Sequence, residues 1–68
     1  MKLTFLGTTS NSGSCPNLYE TDRGTYLVQG ERITDPEALA VLRARGLPDH
    51  ETVVEIPRGL LKFAPRES

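Results

Sequence analysis

A small α+β domain built on an antiparallel sheet is what this sequence predicts, and three observations predict it. A hairpin pattern surrounds Asp22-Arg23-Gly24, a helix start stands at Asp35-Pro36, and a late apolar run reads Val53-Val54-Glu55-Ile56. The resulting order is β-ββ-α-β with a short C-terminal helical turn, in a single domain spanning residues 1–68.

The first strand is expected over 2–6, where Leu3 and Phe5 alternate with Thr4 among β-favouring types. Residues 7–16 read as a loop by composition, with two glycines, three serines, two threonines, an asparagine and a proline. Their hydroxyls can bond the local backbone in ST- or Asx-turns. Strands over 17–21 and 25–29 flank a three-residue loop in which Gly24 takes the left-handed position. Tyr26 and Val28 then share one face with Leu27 on the other, and Tyr19 and Leu18 point opposite ways. Apolar side chains on both faces imply a sheet covered twice, or one face kept for a partner. Gly30-Glu31 is read as a second turn or a bulge.

The helix is expected over 36–45. Asp35 is the N-cap and Pro36 sits at N1, where a missing N–H costs nothing. Thr34 with Glu37 forms a competing capping box one residue earlier. Ala38, Leu39, Val41 and Leu42 supply the apolar stripe. Gly46 fits the left-handed C′ position, and Leu47 at C″ faces Leu42 at C3 in a Schellman motif. Arg43 and Arg45 suit the negative end of the helix dipole. A turn over 48–51 and a strand over 52–56 follow. Pro57 breaks the ladder and opens a short helix through Leu60, Leu61 and Phe63, weakened by Gly59.

Size and charge narrow the function classes. A chain of 68 residues has a marginal core, and one cysteine cannot close an internal disulfide, so it reads as a reduced, cytoplasmic protein held by packing or by a partner. No apolar stretch approaches the roughly 20 residues of a membrane span, and no signal-peptide core follows Lys2. Eight basic and nine acidic residues give a net charge of −1, against a module driven by phosphate contacts. Residues 1–30 carry only Lys2, Glu20, Asp22 and Arg23 of these charges.

No catalytic constellation emerges, and the chain is expected not to be an enzyme. Cys15 is a candidate redox thiol, but a reactive thiolate needs a base or positive neighbours, and the only histidine, His50, is far along the chain. A phosphatase-type loop would place arginine six residues after the cysteine, where Thr21 stands. A metal site would have to join Cys15, His50, Asp49 and Asp35 without any Cys-x-x-Cys or His-x-His spacing, so no metal or other cofactor is expected. The glycine-serine loop 7–16 lacks the lysine of a P-loop. Met1 to Ser10 looks like the first strand of metallo-β-lactamase-fold proteins, yet their His-x-His-x-Asp-His cluster cannot exist with one histidine.

The candidate partner-binding residues are Tyr19, Tyr26, Leu60, Leu61 and Phe63. The tyrosines could stack bases, but Glu20 and Asp22 adjoin them, which favours cross-strand pairing. Leu60, Leu61 and Phe63 beside Arg58, Lys62 and Arg66 form an apolar knob with a basic rim, suited to a groove on a partner or to capping the sheet.

The run Ser10-Asn11-Ser12-Gly13-Ser14-Cys15, the hairpin through Tyr26-Leu27-Val28, Asp35-Pro36, and Val53-Val54-Glu55-Ile56-Pro57 with Leu60 and Phe63 carry a resemblance. The chain resembles small actinobacterial (Streptomyces-type) proteins of unknown function encoded beside XRE-type helix-turn-helix regulators. The likeness covers most of residues 10–63. It departs from that group in a longer helix at 36–45 and in a leucine where tryptophan is common. What it implies is an accessory or antitoxin-like partner of a DNA-binding transcriptional regulator; it does not imply any enzyme activity. The alternative is a small nucleic-acid-associated domain using Arg43, Arg45, Arg58, Lys62 and Arg66.

Overall fold

In the computed structural model, residues 1–11 and 15–65 are described. Three strands, β1 (Leu3–Thr8), β2 (Asn17–Thr21) and β3 (Tyr26–Gln29), form an antiparallel sheet in the order β1-β2-β3. The β2–β3 turn is held by one residue: the Thr21 hydroxyl accepts the backbone N–H groups of Arg23 and Thr25 at 3.1 and 3.3 Å. It also shares a 2.6 Å hydrogen bond with the Thr25 hydroxyl. Gly24 has φ of +74°, the left-handed position the loop requires.

Strand β1 runs past the expected 2–6 and takes Gly7 and Thr8 from the expected loop. The register explains why. Phe5 pairs with Tyr19, but Gly7 pairs with Leu18, so an irregularity at Leu6 shifts the ladder by one residue. Thr8 then pairs with Asn17, and its hydroxyl donates to the Pro16 carbonyl at 2.6 Å. The Cys15–Pro16 peptide bond is cis. Of the glycine-serine loop, Ser12, Gly13 and Ser14 lie outside the described residues.

Gly30 ends β3, and the chain continues at once as β4 (Glu31–Arg32), which pairs antiparallel with β5 (Val54–Glu55). The Ile33 N–H extends this ribbon to the Val53 carbonyl at 3.0 Å. The late strand therefore joins a separate two-stranded sheet instead of the main one, and is shorter than the expected 52–56. Close approach makes the joint: a Cβ on Gly30 would lie 2.6 Å from the Glu55 carbonyl oxygen.

Helix α1 (Pro36–Ala44) spans the ribbon's two strands in sequence. Asp35, and not Thr34, caps it: one Asp35 carboxylate oxygen accepts the Ala38 N–H at 2.9 Å. Arg45 is the C-cap, one residue inside the expected end. The Leu47 N–H reaches the Leu42 carbonyl and the Gly46 N–H the Arg43 carbonyl, both at 3.1 Å, and Gly46 has φ of +111°. That pair of bonds is the Schellman motif read from the sequence. No residue of α1 is buried; Leu39 and Leu42 are half-buried and Val41 is exposed. The helix lies beside the turn through Leu47, Pro48 and Thr52, away from the three-stranded sheet.

The last element is a 3-10 helix, Arg58–Phe63, packed on β1 and β2. Leu60 is 0% exposed and Leu18 2%, and these two side chains are the buried apolar core of the described residues. Each contributes about 1.5–3 kcal/mol by leaving water. Such a core is small, and the chain is correspondingly open: its Cα radius of gyration is 13.8 Å, against about 11 Å for a compact chain of this length.

Candidate functional site

The register divides the three-stranded sheet into two unlike faces. Gly7 opposes Leu18, and Leu18 opposes Val28, so these share one face with Thr4, Glu20 and Tyr26. The 3-10 helix covers part of that face. Phe63 lies across Gly7, and Leu60 is sealed in. Leu60 is thereby corrected from partner contact to core, because it is fully buried within the chain's own fold. Phe63 is half-buried for the same reason, leaving Leu61 as the exposed residue of the three.

The other face carries Leu3, Phe5, Tyr19, Thr21 and Leu27, with Asn17 and Gln29 at one end. No charged side chain stands among these seven. Phe5 is 55% exposed, Leu3 49% and Leu27 41%. The Phe5 and Tyr19 rings meet edge to face with centroids 5.8 Å apart, which fixes both across β1 and β2. At the polar end the Asn17 amide donates to the Gln29 side-chain oxygen at 3.0 Å and to the Tyr19 hydroxyl at 3.3 Å. The stripe is therefore apolar along most of its length and anchored by hydrogen bonds at one edge.

Tyr19 and Tyr26 lie on opposite faces, since Tyr19 pairs with Leu27 and Glu20 with Tyr26. A single surface using both tyrosines does not form; Tyr19 belongs with Phe5, and Tyr26 with Val28 at the outer edge. Leu3, Phe5 and Leu27 were missed as site residues. Their signal was the alternation of β1 combined with the two-faced hairpin, and it becomes legible only once β1 is known to pair with β2.

A second concavity of 340 Å³ lies where the main sheet meets the ribbon, lined by Cys15, Pro16, Glu31, Glu55, Ile56 and Pro57. Cys15 is half-buried, its Sγ 4.0 Å from the Gln29 carbonyl oxygen. His50 is exposed, 3.8 Å from the Glu51 carboxylate. Among the described residues no three His, Cys, Asp or Glu side chains group closely enough to hold a metal ion, so Cys15, His50, Asp49 and Asp35 are not brought together. The basic residues also divide: Arg43 and Arg45 end α1, whereas Arg58 and Lys62 sit on the 3-10 helix, with Lys62 Nζ 5.3 Å from the Phe63 ring centroid. Arg66 lies outside the described residues.

Set against protein-family models, curated proteins and solved structures, the chain matches none. Among the described residues no helix is long and apolar enough to cross a membrane.

Proposed function

We propose that this chain is a non-enzymatic, cytoplasmic protein-binding accessory domain that docks a DNA-binding transcriptional regulator through the open face of its sheet. One observation carries the reading: Leu3, Phe5, Tyr19 and Leu27 share a charge-free apolar face on which, among the described residues, Leu3, Phe5 and Leu27 stay exposed. Exposed aromatic and aliphatic side chains on a rigid sheet are the kind of anchor protein interfaces use. The two-residue core and the loose radius of gyration support it, because further burial against a partner would supply what the chain lacks on its own. The regulator as partner rests on the resemblance carried by the Ser10–Cys15 run, the hairpin and the Asp35-Pro36 helix start.

Tagged full-length chain, recovered from its native host, tests this. The expected result is a helix-turn-helix regulator in near-equal amount, retained by the wild type and lost with Phe5→Glu or Leu27→Glu. Equal recovery by the wild type and both folded variants would overturn the assigned face. Recovery of no regulator from folded wild-type protein would overturn the reading itself.

A further inference from the structure

We propose that the groove between Cys15-Pro16 and the β4–β5 ribbon takes an arginine side chain of the partner protein, an inference that rests on the protein-binding reading and names the partner's chemistry. Three features of the groove carry it. Glu31 and Glu55 are direct cross-strand partners, so their side chains stand on the same side of the ribbon, and both line the groove. Like charges placed directly opposite destabilise an antiparallel pair. Among the described residues neither carboxylate has an ion-pair partner in the chain itself. The remaining lining is Pro16, Ile56 and Pro57 with the Cys15 thiol, so apolar side chains and two carboxylates share one groove.

A guanidinium fits this better than a compact cation. It is planar and presents five donors, enough for two carboxylates at once, and its aliphatic stem can lie along the proline and isoleucine side chains of the lining. A divalent metal ion would need its donors to converge, and Cys15, Glu31 and Glu55 do not form such a group. The groove, at 340 Å³, exceeds what one metal ion needs and falls at the small end of organic ligand sites. It also adjoins the end of β3, since Cys15 Sγ lies 4.0 Å from the main-chain carbonyl oxygen of Gln29, whose side chain belongs to the open face. A partner seated on the sheet would bring a neighbouring arginine to the carboxylates.

The test is an NMR titration of ¹⁵N-labelled full-length chain with N-acetyl-Gly-Arg-Gly-amide, against the same peptide carrying citrulline. Shifts of the Glu31, Glu55 and Ile56 amides that saturate with the arginine peptide and not with citrulline are expected. Glu31→Gln and Glu55→Gln should each weaken that binding by about tenfold or more, while the amides of β1 to β3 stay in place and report an intact fold. No saturating shift, equal shifts with citrulline, or unchanged binding by both variants would each overturn the proposal. So would saturation of the same amides by zinc or calcium alone at lower concentration than the peptide, since the groove would then be a metal site. Capture of the regulator that depends on Phe5 but ignores both glutamates would sink this inference while leaving the docking face standing.

Discussion

The ring of Phe63 occupies the space that a Cβ on Gly7 would fill. This contact joins the two ends of the chain, because Gly7 belongs to the first strand and Phe63 to the last helix. It also seats the 3-10 helix, which packs on β1 and β2 and carries the fully buried Leu60. Gly7→Ala is therefore expected to displace Phe63 and cost about 1–3 kcal/mol, the range for overpacking. Urea unfolding checks it: the midpoint should fall in Gly7→Ala, and the added loss should largely vanish in a Phe63→Ala background. Equal losses in both backgrounds would show that the ring is not what the methyl group meets.

Leu60 and Leu61 are neighbours with opposite fates. Leu60 is fully buried, and Leu61 is 61% exposed. Leu60→Ala should cost about 2–5 kcal/mol, enough in so small a core to leave much of the protein unfolded. Leu61→Ser should stay within about 0.5 kcal/mol. Thermal unfolding followed by circular dichroism separates the two. Similar melting temperatures would contradict the burial difference.

The contrast between these two leucines marks where sequence reasoning stops. Local signals were legible: Asp35 before Pro36 and Gly46 before Leu47 name both ends of the helix because capping depends on residues within one turn of it. The hairpin around Gly24 was legible for the same reason. Pairing at long range was not. Nothing local says that β1 pairs with β2 through a shift at Leu6, or that the late strand leaves the main sheet for Glu31-Arg32. The open face follows from that pairing, so Leu3 and Phe5 became visible as site residues only with the register. Helical periodicity likewise promised α1 a buried stripe, yet no residue of the helix is buried, and Leu39 lines a cavity with Ile33 before the helix and Leu47 and Pro48 after it.

That peripheral position makes the helix separable. Asp35→Ala removes the acceptor for the Ala38 N–H and should cost about 1 kcal/mol of helix stability. Because α1 hardly touches the three-stranded sheet, the loss should appear as faster amide exchange within Pro36–Ala44 alone. Asp35→Asn, which keeps an acceptor oxygen, should restore most of the protection. Slower-exchanging amides in β2 that accelerate equally would show that helix and sheet open as one unit.

Glu31 and Glu55 face each other across the ribbon, and replacing one should relieve the local repulsion. Glu31→Lys turns a like-charge pair into an opposite-charge pair and should strengthen the ribbon by a few tenths to about 1 kcal/mol. Because both side chains are exposed, the gain should be largest at low ionic strength and shrink as salt screens the pair. Amide exchange at Ile33, whose N–H bonds the Val53 carbonyl, reads the ribbon directly. Slower exchange in Glu31→Lys at low salt, converging on the wild type at high salt, is the expected pattern. An unchanged rate at low salt would mean that the two carboxylates already escape each other by turning out into solvent.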